Sequence, residues 1–339
     1  MTRSLLLLLL FLCTILTACI KQDNKALFEH NIEDPVKPWS KNSFDNADSK
    51  FTFAVFSDLT GGERKDIFNV AVEQLNLFRP ELIMNVGDLI EGSTQDPDSL
   101  FKEWQYFDDR INRLIAPVFY TGGNHDLTGP VLRKVWAERY GRTYYHFLYK
   151  DVLFMVMDTE DISEDRQKEI YEARLEALEV RERDPDSLQY TKYYSMPERL
   201  TGGISPEQSE YFQDVIRGNP DVRWSFLFMH KPIWRDSTET DFTEIEDALE
   251  GRNYTLFNGH YHTFSHRTRR GMDYIHMGTT GGQLNGSNPG SFDHITLVTV
   301  SEDEPSIVHI QMNGILDKTG KLPLNGDSLC FRADGLGCN

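Results

Sequence analysis

Short apolar runs and amphipathic stretches alternate along the first half of the chain. The apolar runs predict buried strands at 51–56, 82–86 and 117–120. Between them, apolar residues recur at intervals of three and four, which predicts helices over about 63–78 and 99–114. Strand–helix–strand repetition is typical of a largely parallel sheet with helices packed over it.

The second half continues the α/β pattern, with one interruption. Further strands are predicted at 152–157, 225–229, 254–257, 274–277, 295–300 and 307–312. Ser205, Pro206 and Gln208 predict a helix start with Ser205 as its N-cap. Residues 161–200 are dense in charge, and they predict a charged helix at about 163–183 followed by a loop. Such an insertion is either a solvated segment or a lid over a site.

The first residues have a different character. After a short basic start, the apolar run from Leu5 to Leu12 is too short to span a bilayer, and it predicts a signal peptide over 1–18. Leu16-Thr17-Ala18-Cys19 resembles the processing site of bacterial lipoproteins, which predicts lipidation of Cys19. An ordinary signal peptide with a chance cysteine is the alternative. The polar residues 19–48 then predict a tether.

These features predict a protein of the cell envelope that is held on a bacterial membrane by lipid and faces the periplasm or the exterior. Ile20 follows Cys19 where inner-membrane lipoproteins often carry Asp, which favours the outer membrane. The remaining domain is predicted over 49–318, with a tail at 319–339. Cys330 and Cys338 in this tail are a possible disulfide, because paired thiols are typical of an oxidising compartment.

The charge of the chain narrows the function classes. Its 339 residues include 35 Lys and Arg against 53 Asp and Glu, a formal net charge of −18. No nucleic-acid surface is predicted, because such surfaces are basic. An anionic substrate would need a local positive feature, such as a metal ion.

Residues of the kind that bind metals follow the predicted strands. They are Asp58, Asp88, Asn124, His125, His230, His260 and His262. In open α/β sheets, ligands gather at the carboxyl ends of the strands. Imidazole suits zinc and iron, whereas carboxylate suits harder ions such as manganese. The pattern therefore predicts a pair of divalent or trivalent ions (Mn, Fe or Zn), which can clamp a phosphoryl group and lower the pKa of a bridging water.

Taken in order, these motifs resemble the calcineurin-like metallophosphoesterase family over roughly residues 51–310. The matching motifs are Asp58, Gly87-Asp88, Gly123-Asn124-His125-Asp126, His230 and Gly259-His260-Tyr261-His262. The resemblance implies an α/β fold in which a two-sheet β-sandwich is flanked by helices in four layers, α/β/β/α. It also implies that a metal-bound hydroxide hydrolyses a phosphomonoester or phosphodiester.

The resemblance further implies a role for each residue. Asp88 would bridge both metals, with Asn124, His230 and His260 completing one site and Asp58 and His262 belonging to the other. His125 would contact the substrate phosphate and stabilise or protonate the leaving oxygen, and Asp126 would orient the His125 ring.

One position departs from the family pattern. Thr60 stands where the family has a metal-binding His, so the site of Asp58, Asp88 and His262 is short of a ligand. Water or Glu63 could fill the gap, or the second metal could bind only with substrate. Otherwise the protein is a one-metal enzyme or a non-catalytic metal- or ligand-binding lipoprotein that kept the fold. Gly61 and Gly62 either offer amides to a substrate phosphate or only form a tight turn.

Overall fold

A computed structural model describes residues 27–44, 48–286, 288–302, 304–333 and 335. The predicted signal peptide, Cys19 and Cys338 lie outside the described residues. Cys330 is disulfide-bonded, and its pairing with Cys338 stays a prediction. Within the described part of the chain, no helix is long and apolar enough to cross a membrane.

Twelve strands of the described chain form two sheets. In chain order they are β1 Phe28–His30, β2 Phe51–Phe56, β3 Leu82–Asn85, β4 Val118–Phe119, β5 Tyr145–Tyr149, β6 Val152–Val156, β7 Trp224–Met229, β8 Tyr254–Asn258, β9 Ser265–Arg269, β10 Met272–His276, β11 His294–Val300 and β12 Ser306–Gln311. One sheet has the order β1-β5-β6-β7-β8-β10-β9, and the other has the order β12-β11-β2-β3-β4. The seven-stranded sheet is parallel only at its centre, from β6 to β10, because β1, β5 and β9 pair antiparallel. In the five-stranded sheet, β2, β3 and the edge strand β4 are parallel, whereas β11 and β12 pair antiparallel. The predicted largely parallel sheet is therefore two mixed sheets.

The described chain forms nine helices, and the longer ones outside residues 161–200 cover the outer faces of the two sheets. The nine helices are α1 Ile67–Phe78, α2 Pro97–Ile111, α3 Asn124–Leu127, α4 Pro130–Tyr140, α5 Glu164–Arg183, α6 Lys192–Ser195, α7 Glu198–Thr201, α8 Pro206–Gly218 and α9 Asp241–Ala248. Short 3-10 turns lie at Pro185–Tyr190, Ile233–Arg235, Met312–Gly314 and Pro323–Ser328.

Three buried clusters hold the layers together. One lies between the five-stranded sheet and α1, α2 and α4, and it includes Phe68 and Trp104. A second fills the space between the two sheets, where Phe53 and Phe154 meet edge to face at 5.3 Å. A third lies between the seven-stranded sheet and α8 and α9. This arrangement gives the expected four layers, α/β/β/α.

Two predicted boundaries change in the structure. Helix α1 begins at Ile67 rather than near residue 63, because Gly61, Gly62 and Asp66 all have positive φ and keep the chain turning. Residues 27–44, predicted to belong to the tether, pack on the domain through the buried Ile32 and Trp39. Likewise, Phe331 of the predicted tail is buried against the core.

The predicted helix start at Ser205 is present, with one difference. The Ser205 hydroxyl accepts the Gln208 backbone N–H at 3.1 Å, as an N-cap does. In a capping box, the Gln208 side chain would bond back to the backbone N–H of Ser205. Here it bonds the backbone N–H and carbonyl of Asp158 instead. Helix α8 is thereby tied to the carboxyl end of β6.

Candidate active site and metal centre

The loops that follow the central strands meet at one edge of the sandwich. Asp58 follows β2, Asp88 follows β3, His230 follows β7, and His260 and His262 follow β8. Four of these residues, Asp58, Asp88, His260 and His262, have positive φ between 41° and 86°. Such backbone is costly for residues other than glycine, and it is found where a functional geometry requires it.

We define the complete ligand group as Asp88, Asn124, His230 and His260. His230 Nε2 lies 3.2 Å from Asp88 Oδ2 and 3.1 Å from Asn124 Oδ1. One nitrogen or oxygen atom from each of Asp88, His230 and His260 falls within 4.8 Å of the others. Although burial alone would lower the pKa of His230, the Asp88 carboxylate raises it to about 9.

We define the short ligand group as Asp58, Asp88 and His262. Their ligand atoms also lie within 4.8 Å of one another, and His262 Nε2 is 3.4 Å from Asp58 Oδ1. Asp88 belongs to both groups, so its carboxylate lies where a bridge between two ions would be. Burial by itself would raise the pKa of Asp88, but the charges of His230 and His125 lower it well below its usual range.

Backbone carbonyls fix the tautomer of each histidine in these groups. His230 Nδ1–H donates to Val86 O at 2.8 Å, and His262 Nδ1–H donates to Gln283 O at 2.6 Å. His260 uses the opposite nitrogen, since its Nε2–H donates to Arg199 O at 2.8 Å. A carbonyl oxygen can only accept, so the other ring nitrogen of each neutral histidine carries the lone pair that a metal needs.

These residues fit metal ions. Nitrogen and oxygen ligands bind transition metals at about 2.0–2.2 Å, which places neighbouring ligand atoms about 3 Å apart. The separations of 3.1–3.4 Å within the two groups match that spacing. The combination of imidazole, carboxylate and amide oxygen suits manganese, iron or zinc.

His125 lies beside the ligand groups at the start of α3. Its backbone N–H donates to Asp88 Oδ1 at 2.9 Å, and its Nδ1–H donates to Glu91 O at 2.5 Å. The ring nitrogen Nε2 would lie 3.6 Å from a Cβ built on Gly61. His125 therefore presents Nε2 to the Gly61 turn, on the side where His262 Nε2 would lie 3.4 Å from the same Cβ.

Asp126 does not contact the His125 ring, contrary to the role that the resemblance implied. Its carboxylate accepts the backbone N–H groups of Leu89 at 2.9 Å and Gly123 at 2.8 Å. Burial and the charge of Asp88 raise the pKa of Asp126 to about 8. Asp126 thus joins the two loops that carry Asp88 and Asn124, while the Glu91 carbonyl orients His125.

The residues proposed to replace the missing histidine make other contacts. The Thr60 hydroxyl donates to Ile90 O at 2.7 Å, and the Glu63 carboxylate pairs with Arg110 at 2.5 Å. The amides of Gly62 and Glu63 both donate to the Glu91 carboxylate, at 2.9 and 2.7 Å. The amides of Gly62 and Glu63 are therefore already bonded to the Glu91 carboxylate. Neither Thr60 nor Glu63 completes the short ligand group.

Gly61 has a packing reason to be glycine. Its φ is 75°, and a Cβ at this position would lie 3.1 Å from His262 Cε1. The missing side chain lets the backbone pass between the rings of His125 and His262.

Residues 51–264 match the family model described as calcineurin-like phosphoesterase. The chain belongs to this family. It is therefore a metallophosphoesterase, an enzyme that hydrolyses phosphoesters with the help of metal ions.

The chain is also similar to individual proteins. The chain is 23% identical over 249 residues to a human protein named manganese-dependent ADP-ribose/CDP-alcohol diphosphatase, covering 60% of this chain and 72% of the relative. Its fold is similar to that of a dimetal phosphatase from Danio rerio, with a TM-score of 0.51, 14% identity and coverage of 76% of this chain and 98% of the other. A purple acid phosphatase from yellow lupin gives a TM-score of 0.49 at 11% identity, with 77% and 51% coverage.

In this calcineurin-like phosphoesterase, the insertion at 161–200 lies against the metal-ligand groups. A cavity of about 320 Å³ opens between His125 and the insertion residues Arg174, Arg181, Tyr193 and Tyr194. Arg174 Nη1 donates to Asn124 O at 2.8 Å, and Arg199 O holds His260. The insertion therefore covers the site and positions two members of the complete ligand group.

Sequence reasoning missed four contributors: the carbonyl oxygens of Glu91, Arg199 and Gln283, and the Arg174 side chain. Backbone carbonyls leave no signal in residue identity. Arg174 did leave a signal in the sequence, because it lies on the apolar face of α5. The other buried residues of that face are Ile170, Ala173 and Ala177. A lone arginine on the apolar face of a charged helix indicates a specific partner.

Proposed function

We propose that this phosphoesterase binds two metal ions in the complete and short ligand groups and uses His125 to assist departure of the leaving group. One observation carries the proposal. Asp88 belongs to both ligand groups, and it also accepts the backbone N–H of His125. A phosphoryl group held by metal ions that share Asp88 would therefore lie near His125.

Each part of the site has a separate role in the proposed reaction. Bound metal ions would act as Lewis acids that polarise the phosphoryl oxygens and lower the pKa of water. The Glu91 carbonyl fixes the Nδ1–H of His125, so Nε2 is the nitrogen that faces the phosphate. Because Nδ1 already carries the proton of the neutral ring, Nε2 must first gain a proton, and that proton can then pass to the leaving oxygen. The four layers of the fold bury Asp58 and Asp88, which excludes bulk water from their carboxylates.

A substrate panel tests this proposal. We would assay p-nitrophenyl phosphate, bis(p-nitrophenyl) phosphate and an organic diphosphate with added Mn, Fe or Zn. The diphosphate is included because the human relative is named for such substrates. The spacing of the motifs does not choose between monoester and diester, so the panel decides.

The variant His125→Gln is expected to lower kcat by about 10²-fold, more for poor leaving groups than for p-nitrophenolate. The matched control is His266→Gln, since His266 is exposed and pairs with Asp273. A wild-type protein that is folded and loaded with metal but turns over no substrate would support the alternative of a non-catalytic binding lipoprotein.

We also propose that the enzyme acts in the cell envelope, tethered by lipid at Cys19. The support comes from the sequence, because Cys19 lies outside the described residues. Metabolic labelling with an alkyne fatty acid should modify the wild type and not Cys19→Ser. Recovery of the wild-type protein in the soluble fraction without label would refute the anchor.

A further inference from the structure

The cavity beside the ligand groups has two unlike walls. One wall includes Asn124 and His125, and the other is made by the insertion. In the proposed reaction, the leaving oxygen must lie near His125 Nε2. The leaving group then extends into this cavity, so the insertion wall is the surface that it meets.

Arg174 supplies a buried positive charge to that wall. The residue is 7% exposed, and Nη1 donates to Asn124 O. The remaining N–H groups of its guanidinium have no partner among the described residues. Arg174 is therefore anchored through one nitrogen and free to bind an anion through the others.

Arg181 supplies a second positive charge from the same helix. It lies seven residues after Arg174, two turns along α5, and it also lines the cavity. Nearby Arg183 pairs with Glu179 at 3.8 Å, whereas Arg181 has no hydrogen-bond or ion-pair partner in the described chain. Arg181 is exposed, so its charge is available to an anion that enters the cavity.

Among the residues that line the cavity, the one carboxylate belongs to Glu91, and it bonds backbone amides rather than an arginine. Glu91 Oε1 accepts the amides of Gly62 and Glu63 on the wall opposite the insertion. The cavity therefore has its negative charge near the glycine turn and its two arginines on the insertion.

We propose that Arg174 and Arg181 select substrates whose leaving group carries a second phosphate, that is, organic diphosphates. This inference rests on the proposed function. In the reaction, a water oxygen would form a new bond to the phosphorus held by the metal ions of the two ligand groups, and the bond from that phosphorus to the bridging oxygen would break. The leaving phosphate receives a proton through His125, and two phosphate monoesters are released. Arg174 and Arg181 bind the leaving phosphate.

Two substrates with the same nucleotide half test the selection. Thymidine 5′-diphosphate glucose releases a sugar phosphate, and the p-nitrophenyl ester of thymidine 5′-monophosphate releases nitrophenolate. We expect Arg181→Gln to raise KM for the diphosphate about tenfold and to change neither kcat nor the nitrophenyl ester kinetics by more than about twofold. Arg174→Gln should also raise KM for the diphosphate, but it should lower activity on both substrates as well, because Arg174 Nη1 also holds the Asn124 carbonyl. Arg183→Gln, which changes an arginine of the same helix outside the cavity, should leave both substrates unchanged.

A binding measurement keeps the test independent of turnover. Titration calorimetry with α,β-methylene-ADP, which is not hydrolysed, should show a dissociation constant about tenfold higher in Arg181→Gln than in wild type. Two results would overturn the role of the arginines while leaving the proposed function intact. One is that Arg181→Gln affects both substrates equally, and the other is that wild type and Arg181→Gln bind α,β-methylene-ADP equally. Failure of wild type to hydrolyse these two substrates and the monoester p-nitrophenyl phosphate would instead refute the proposed function, and the calorimetry would then decide on the arginines alone.

Discussion

The two ligand groups share Asp88 but differ in how many ligands the protein supplies. The complete ligand group adds Asn124, His230 and His260 to Asp88, so four side chains surround one position. The short ligand group adds only Asp58 and His262. A tetrahedral ion can be filled by four protein ligands, whereas an ion with three keeps a position for water or substrate. We therefore expect a tightly held ion in the first group and a weaker, exchangeable one in the second.

The two groups also differ in what holds their side chains. In the complete ligand group, the insertion contacts Asn124 through Arg174 and His260 through the Arg199 carbonyl. In the short ligand group, His262 is held by the Gln283 carbonyl. Arg64 holds the same loop, since its Nε–H donates to Gly282 O at 2.8 Å. The number of ligands and the contacts that support them both favour tighter metal binding in the complete ligand group.

Asp88→Asn should have the largest effect, because it removes the carboxylate that both groups share. We expect kcat to fall about 10³-fold and both ions to be lost at micromolar metal. Activity assays and metal analysis by mass spectrometry measure the two effects. Asp214→Asn, at an exposed carboxylate that pairs with Arg217, is the control and should behave as wild type. Retention of a tightly bound ion in Asp88→Asn would contradict the shared role.

Much of the fold follows from the sequence pattern, since buried strands and amphipathic helices have strong periodicity. The strands at 51–56 and 152–156 and the cap at Ser205 are where the pattern predicts them. Helix α4 was missed, although Leu132, Trp136 and Tyr140 recur at intervals of four residues and are buried. The edge strand β1 was missed because it is short and largely exposed.

The ligand residues could be named from sequence because metals demand a few side-chain types at strand ends. Their supports could not, because a carbonyl oxygen belongs to every residue and its direction depends on the loop. The same limit explains why the role of Asp126 could not be predicted. Its partners are the backbone amides of Leu89 and Gly123 rather than the His125 ring. Thr60 was recognised as a departure, but its bond to the Ile90 carbonyl depends on how two distant loops pack.

His230→Ala and His262→Ala compare the two groups directly. His230→Ala should lose the tightly bound ion and about 10²-fold in activity, which added metal restores poorly. His262→Ala should keep about one ion per chain and recover most of its activity in excess manganese. Metal content after dialysis and activity against manganese concentration distinguish the two. Identical metal content in both variants would show that the groups are equivalent.

Arg64→Gln should weaken only the short ligand group. Arg64 donates to Gly282 O, to Cys330 O at 2.7 Å and to Asp293 at 2.6 Å, and the Gly282–Gln283 loop holds His262. We expect the affinity of the weaker ion to fall about tenfold while the tight ion stays. Arg223→Gln is the matched control, because Arg223 also makes three side-chain hydrogen bonds, all to carbonyls, but lies before β7, at the opposite ends of the strands. A merely destabilising effect would lower the melting temperature in both variants without this selective loss.

Thr60→His should have the smallest effect, because a gain and a loss oppose each other. The new imidazole can supply the ligand that the short group lacks, which should raise occupancy of the weaker ion at limiting manganese. The substitution also removes the hydroxyl bond to Ile90 O, which is worth about 1 kcal/mol. Thr60→Val separates the two effects, since it removes the same bond without adding a ligand. We expect a lower melting temperature in both variants and higher metal occupancy in Thr60→His alone. Two tightly bound ions already present in the wild type would show that Thr60 does not weaken the group, because nothing would then be left for the histidine to restore.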